Sequence, residues 1–387
     1  MKHLTSKTEL PIFFNSNSEF SMSSPELLKT WVELSQSAIE SNAQQFKSWV
    51  GDSTQIAGVI KSNAYGHGLI PIAMLYEKCN NITSLCVIKL SEAVIVRQNG
   101  IKKPILVISY LDACYDLIIE HSVEVVIYDL VIAQQLNDIG NKHNTKIIVH
   151  IKFDTGMSRL GITASEINQF IDQVELLPCI TIKGIFSHFG ESYNHTATNQ
   201  QEDVFATIMD RGLATHISNS HGVLTTKHKN YSIARIGIGL YGYLSKQTPD
   251  IQSQLKPVLS LKTKILQIKT VSAGSYIGYD GLYQASSDMK IAIIAIGYAE
   301  GLDAELSNKG SVIINGQLAP IVGRICMNLT IIDISTITHA YVDQVVTVLG
   351  SEGNVSITAY DWSRLSKIST YNHLAKISES LTRIIVP

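Results

Sequence analysis

A few residues in this chain stand where their types and spacing could do chemistry. Lys61 ends the apolar run IAGVI and opens KSNAYGHG, which carries Tyr65 and then Gly-His-Gly. A lysine is costly to bury unpaired, so a strand that delivers one to its end either lets it reach solvent or sets it in a site. Further along, Lys152, Asp154 and Arg159 share the segment IKFDTGMSRLG, and His188 ends the run ITIKGIFSH. Asn219 and Ser220 close ATHISNS, and Arg235 precedes the glycine-rich GIGLYG. A lysine crowded by other cations loses its proton more readily and becomes a nucleophile. Glycine-rich turns beside a hydroxyl can cradle an oxyanion with backbone N–H groups.

The elements that must position these residues follow from the hydropathy pattern. Eight short β-branched runs, at 56–63, 84–90, 104–109, 123–129, 146–154, 180–189, 214–220 and 233–239, alternate with other segments. Several of those, such as LVIAQQLNDIG, ASEINQFIDQVELL and QEDVFATIMD, repeat apolar residues at three and four. Near-continuous apolar strands alternating with helices predict a covered parallel sheet. Eight units predict a TIM-type (β/α)8 barrel. GIGLYG, residues 237–242, matches a dinucleotide-binding fingerprint, but it closes the last unit and no good helix follows, so that reading is rejected. After Lys256 the strands come without long helices, Asn315-Gly316 signals a tight hairpin, and TYNHLAKISESLTRI reads as a closing helix. The predicted organisation is a flexible extension over 1–28, the barrel over 29–255 and a mostly β C-terminal domain over 256–387.

In such barrels the chemistry sits at the C-terminal ends of the strands, and phosphate binds after strands seven and eight. The strand ends deliver Lys61 and Tyr65, then Lys152, Asp154 and Arg159, then His188, then Asn219 and Ser220, then Arg235 with its glycine turn. A phosphate site facing a lysine is the arrangement pyridoxal phosphate requires.

Composition limits the alternatives. The formal net charge is −2 over 387 residues, with no basic run, so no nucleic-acid partner is expected. No apolar stretch is long enough for a bilayer, and residues 1–28 lack a secretory core, so the cytosol is expected. Five scattered cysteines show neither zinc-like spacing nor a disulfide framework, and no metal is expected.

Taken together and in order, KSNAYGHG, IKFDTGMSRLG, ARIGIGLYG, IGYDGLY, IGYAEG and GRICMN resemble the alanine racemase family, fold-type III pyridoxal-phosphate enzymes. The likeness runs from about residue 30 to the end. It implies that Lys61 attaches the cofactor and that Tyr65, Ser220, Gly237, Ile238 and Tyr371 hold its phosphate. It implies that Arg235 faces the pyridine nitrogen, that His188 lies against the ring, and that Arg159 contacts the substrate carboxylate. Tyr279 would be the second base and Met327 would line the pocket, both reaching it from the partner of a homodimer. Lys152 matches a position that many relatives carbamylate. The implied activity interconverts L- and D-alanine, the latter a peptidoglycan precursor.

Two bases on opposite faces of Cα remove and return a proton without rotating the substrate. An arginine at the pyridine nitrogen keeps its own proton and weakens the electron sink, which disfavours side reactions. By residue type alone, His188 also fits a core histidine, Arg235 a barrel arginine paired with a carboxylate, Ser220 and Tyr371 capping or packing residues, and Lys152 a partner of Asp154. Asn328 stands where the family usually has aspartate, His221-Gly222 where it has small residues, and the N-terminal extension is additional. Asn328 bears on specificity, so a serine or broad-specificity racemase is the alternative function. A non-catalytic cofactor-binding barrel is a second alternative, and a fold-type III decarboxylase a third that lacks its cysteine-centred motif.

Overall fold

The computed structural model describes residues 13–14, 27–227, 230–245 and 249–387. The chain forms two compact units. One comprises Ala38–Tyr65 and Ile72–Lys256; the other comprises the N-terminal residues through Ser37, Gly66–Pro71 and Pro257–Pro387.

The first unit is the expected barrel. Its strands are β1 (Gln55–Val59), β2 (Ser84–Lys89), β3 (Ile105–Tyr110), β4 (Glu124–Ile127), β5 (Ile147–Lys152), β6 (Ile180–Phe186), β7 (Ala214–His216) and β8 (Ile233–Ile236). All pair in parallel, in the order β8-β1-β2-β3-β4-β5-β6-β7. Between β7 and β8 the ladder is replaced by single contacts, the first a 3.0 Å bond from Arg235 N to Ser218 O, which leaves the barrel nearly closed. The outer helices follow the sequence periodicity. Helix Ile167–Glu175 buries Ile167, Phe170, Ile171 and Val174, one stripe at three-four spacing. Helix Leu130–Lys142 is capped by the Asp129 carboxylate, which accepts from the Val131 and Ile132 amides.

The second unit is mostly β. The long strand Leu259–Val271 pairs antiparallel with Thr30–Ser35, Met289–Ile294 and Val345–Glu352. Ser311–Ile314 and Gln317–Pro320 form the hairpin expected at Asn315-Gly316, where both turn residues have positive φ (52° and 69°). The structure differs from the sequence reading in three places. Residues 30–35, read as part of the barrel, pair here with Leu259–Val271 and Thr382–Val386. Residues 66–71 also belong here: Arg383 Nη2 donates to Gly66 O at 2.9 Å, and a Cβ on Gly66 would lie 1.9 Å from Leu374 O. The stretch 370–384 is not one helix. It forms helix Thr370–Ala375, a turn, and the strand Thr382–Val386, whose β-branched residues complete the sheet beside Thr30–Ser35. The extension read over 1–28 lies outside the described residues except 13–14, which pair with Thr382–Val386, and 27–28.

Candidate active site

Lys61 follows the buried end of β1. Ile60 N still bonds Cys86 O on β2 at 2.9 Å, and then the backbone reverses its hand. Ser62, Asn63, Ala64 and Tyr65 all have φ between 50° and 54°, a left-handed turn closed by a 2.9 Å bond from Ala64 N to Ile60 O. None of the four is glycine, so the conformation costs about 1–2 kcal/mol per residue. Glu92, buried in helix Leu90–Gln98, holds the turn open: its carboxylate accepts from Ser62 N at 3.0 Å and Ile88 N at 2.8 Å. Strain of this kind collects at functional sites, where the surroundings over-determine it.

The site is cationic. Burial, then Arg159 and Arg235, lower the Lys61 pKa. The same three causes hold Lys152 well below the usual lysine range, and its Nζ stands 4.4 Å over the Phe186 ring. Asp154 does not form an ion pair with Lys152 among the described residues. Its Oδ1 accepts from the Gly156, Met157 and Ser158 amides and so shapes the loop that carries the exposed Arg159. Gln201 joins this loop to the next one. Its Nε2 donates to Thr155 Oγ1 at 3.1 Å and His188 O at 3.0 Å, and its Oε1 accepts from Gly190 N at 2.9 Å.

Arg235 is buried in β8 and has no carboxylate partner among the described residues. It donates to His216 Nδ1 at 2.7 Å, His216 O at 2.8 Å and Ser187 O at 2.6 Å, and its Nη2 lies 3.5 Å from His188 Nδ1. Burial pulls its pKa down to about 10, still protonated at neutral pH. Burial and then Arg235 keep His188 and His216 well below the usual histidine value, so both are neutral.

After β8 the chain makes a tight turn through Gly237 to Gly242. Ser220 Oγ accepts from the Gly237 and Gly239 amides at 3.1 and 3.0 Å, while the Ile238 amide between them has no acceptor among the described residues. The glycines here serve close approach. A Cβ on Gly237 would lie 2.4 Å from Tyr65 Oη, and one on Gly239 would lie 2.3 Å from Phe46. Tyr65 itself packs on Tyr241, with ring centroids 5.2 Å apart.

Lys61, Tyr65, Lys152, Arg159, His188, Ser220, Arg235, Gly237 and Ile238 thus all lie at strand ends of the barrel unit. Tyr279, Met327, Asn328 and Tyr371 lie in the second unit. Tyr279 opens a short turn with Gly278, Asp280 and Gly281 at positive φ, and it is 64% exposed. Asn308 fastens this turn to the loop before Met327: its Nδ2 donates to Leu282 O at 3.0 Å and its Oδ1 accepts from Gly323 N at 2.6 Å. Asn328 Nδ2 donates to Glu300 Oε1 at 2.7 Å, and Glu300 Oε2 accepts from Gly297 N. Tyr371 sits in helix Thr370–Ala375, capped by Ser369. The sequence reading did not reach Glu92, Gln201, His216 or Asn308.

A barrel whose strand ends gather lysines and arginines around an N–H-lined turn, with a β-rich unit in the same chain, defines a two-domain barrel enzyme built to hold an anionic group. Residues 34–245 match the family model "Alanine racemase, N-terminal domain", and residues 258–385 match "Alanine racemase, C-terminal domain". The alanine racemase of Syntrophobacter fumaroxidans is 35% identical over 360 residues, 91% of this chain and 96% of that protein. That of Clostridium novyi is 32% identical over 373 residues, 93% of this chain and 96% of that protein. The solved alanine racemase of Clostridium difficile 630 superposes with a TM-score of 0.86 at 30% identity, covering 93% of this chain and 96% of that one. The chain belongs to the alanine racemase family.

Proposed function

We propose that this protein is a pyridoxal-phosphate-dependent racemase that interconverts L- and D-alanine with Lys61 and Tyr279 as its two bases, working as a cytosolic homodimer. The observation that carries the reading is the pairing of a hydroxyl-and-amide cradle with a lysine of lowered pKa in one barrel mouth. The residues fit the cofactor. Among the described residues the Ile238 amide lacks an acceptor, the Ser220 hydroxyl retains its proton to donate, and the absence of a Cβ on Gly237 lets the Tyr65 hydroxyl approach. These donors suit a phosphate, with Tyr371 assigned to it by family likeness.

When bound, pyridoxal phosphate supplies the electron sink that makes the substrate Cα–H acidic. The rest of the work falls to the chain. The lowered pKa of Lys61 leaves its Nζ able to attach the cofactor and afterwards to hold or release a proton. Tyr279 Oη handles the proton on the other face, taking it from the L form while Lys61 serves the D form. Arg159 orients the substrate carboxylate. Arg235 offers the ring nitrogen a donor that keeps its proton, which restrains competing chemistry. His188, neutral beside Arg235, lies against the ring, and Met327 and Asn328 border the substrate. Burial, Arg235 and Arg159 lower the Lys152 pKa, which favours the unprotonated amine that the carbamylation expected there requires.

The homodimer reading is supported by the exposure of Tyr276, Tyr279, Leu282, Tyr298, Met327 and Leu329 on the second unit, a set of apolar side chains that a partner would cover. All five cysteines are free, as in a reducing compartment, and among the described residues no helix is long and apolar enough to cross a membrane. A racemisation assay by circular dichroism with L-alanine, then with L-serine, tests the reading. Loss of optical activity with alanine supports it. Loss with serine alone would reassign the substrate, and no loss with either in cofactor-loaded protein would refute it. Borohydride reduction followed by peptide mapping should fix the cofactor on Lys61.

A further inference from the structure

Beneath Arg235 a line of polar side chains crosses the barrel interior. Arg235 Nη1 lies 2.7 Å from His216 Nδ1, His216 Nε2 lies 2.9 Å from His150 Nδ1, and His150 Nε2 lies 3.0 Å from Glu124 Oε2. Lys183 pairs with the other carboxylate oxygen, Glu124 Oε1. The five residues stand on β8, β7, β5, β4 and β6. His216 and His150 are 0% and 1% exposed, so each ring nitrogen must find its partner within the line.

The positions of the protons follow from the two ends. A guanidinium can only donate, so His216 Nδ1 accepts and its proton sits on Nε2. That N–H makes His150 Nδ1 an acceptor, which puts the His150 proton on its own Nε2. That proton is donated to the Glu124 carboxylate, which can only accept. Both rings are neutral, because burial lowers the pKa of each. The His216 ring stacks on Phe186 at 4.8 Å and 8°, which holds its plane. Every bond in the line points the same way, from Arg235 to Glu124.

We propose that Glu124 is a positioning residue for Arg235: through His150 and His216 it fixes the tautomer whose Nδ1 lone pair holds the guanidinium in place. This rests on the reading of Arg235 as the residue facing the cofactor's ring nitrogen. Lys183 enforces the polarity. An amide at position 124 would turn its carbonyl toward the Lys183 ammonium and its NH2 toward His150. His150 Nε2 would then have to accept, both rings would move their protons to Nδ1, and His216 would present N–H to a guanidinium that also donates.

The test is histidine NMR on 15N-histidine-labelled holoenzyme, with the two buried rings assigned by single substitutions, beside steady-state kinetics. In the wild type both rings should carry the proton on Nε2; a proton on Nδ1 of either ring overturns the proposal without recourse to any variant. In Glu124→Gln at least one ring should move its proton to Nδ1. In the same variant kcat should fall by about 10- to 100-fold with little change in KM, the range lost when a residue supporting a site residue is removed. In Glu124→Gln/Lys183→Met the amide is free to turn its carbonyl to His150, so Nε2 protonation and much of kcat should return. Unchanged tautomers in the single variant, or a double variant no better than the single, would overturn the proposal. If the wild type instead retains no cofactor or does not racemise, the reading of the function fails while the tautomer result still decides the role of Glu124.

Discussion

The Glu92 carboxylate takes the Ser62 amide at 3.0 Å and the Ile88 amide at 2.8 Å, so one buried side chain ties the turn after Lys61 to the end of β2. Glu92→Ala would leave two partly buried N–H groups, those of Ser62 and Ile88, without this acceptor. Each lost bond costs about 0.5–1.5 kcal/mol, and at about 2–4 °C per kcal/mol the melting temperature should drop by a few degrees. Amide hydrogen exchange at Ser62 and Ile88 should accelerate more than elsewhere in the barrel. Uniform acceleration, or none, would remove Glu92 from the support of the turn.

Gly237→Ala should weaken cofactor retention while leaving the barrel folded. The added Cβ would lie 2.4 Å from Tyr65 Oη and displace the hydroxyl assigned to the phosphate. Dialysis followed by an absorbance scan measures the loss. Retention equal to wild type would place the anion elsewhere.

Mixing Lys61→Ala and Tyr279→Phe chains should restore activity that neither homodimer has, because one of the two shared sites in the heterodimer is then intact. Tyr279→Phe alone should cost about 10²–10⁴-fold in racemisation, the usual scale for a lost general base. It should retain Cα-proton exchange more readily from D- than from L-alanine. Near wild-type activity in Tyr279→Phe, or no recovery after verified subunit exchange, would count against a shared two-base site.

Asn328→Asp would set a carboxylate against Glu300 Oε1, where the amide now donates at 2.7 Å. The two acids cannot both stay ionised at that distance without cost. The variant should therefore shift the ratio of serine to alanine kcat/KM and add a carboxylate-range pH dependence absent from wild type. A second change, Glu300→Gln, should remove that added dependence. A ratio unmoved by either change would free Asn328 of any part in specificity.

His150 and His216 tie stability to pH. Both have folded pKa values below the unfolded value of roughly 6.5, so the unfolded chain binds protons that the folded one refuses. Stability is therefore fully present above that value and is lost as pH falls from it toward the folded values. Between that value and its folded pKa, each ring should add to the slope, at most about 1.4 kcal/mol per pH unit. Urea titrations between pH 7 and 5 measure it. A flat profile would mean that the fold does not depress the pKa of either ring.

The barrel was legible because its eight strands are β-branched runs and its helices keep strict stripes, as at Ile167, Phe170, Ile171 and Val174. The strand-end residues were legible for the same reason, since position in a barrel singles out Lys61 and Arg235 before any contact is known. What escaped reading depends on tertiary contact. Ser-Asn-Ala-Tyr has no glycine to announce a left-handed turn, and tertiary contacts such as the Glu92 carboxylate's bond to Ser62 N hold it there. His216 in ATHIS reads as core, and Gln201 is one polar residue among several on helix His195–Ala206. The stretch 370–384 failed for a related reason: Thr382–Val386 becomes a strand because Thr30–Ser35 offers it an edge.

That edge has a consequence for biosynthesis. Thr30–Ser35 leaves the ribosome before any of the barrel, yet its partners are Leu259–Val271 and Thr382–Val386, both of which follow the whole barrel in sequence. The barrel strands, by contrast, pair mostly with their neighbours in sequence. The nascent chain can therefore assemble its barrel while the early strand, with Trp31, Val32 and Leu34 destined for burial, still waits for a mate. Until those partners are made the segment is an unpaired apolar strand of the kind that pairs with other chains.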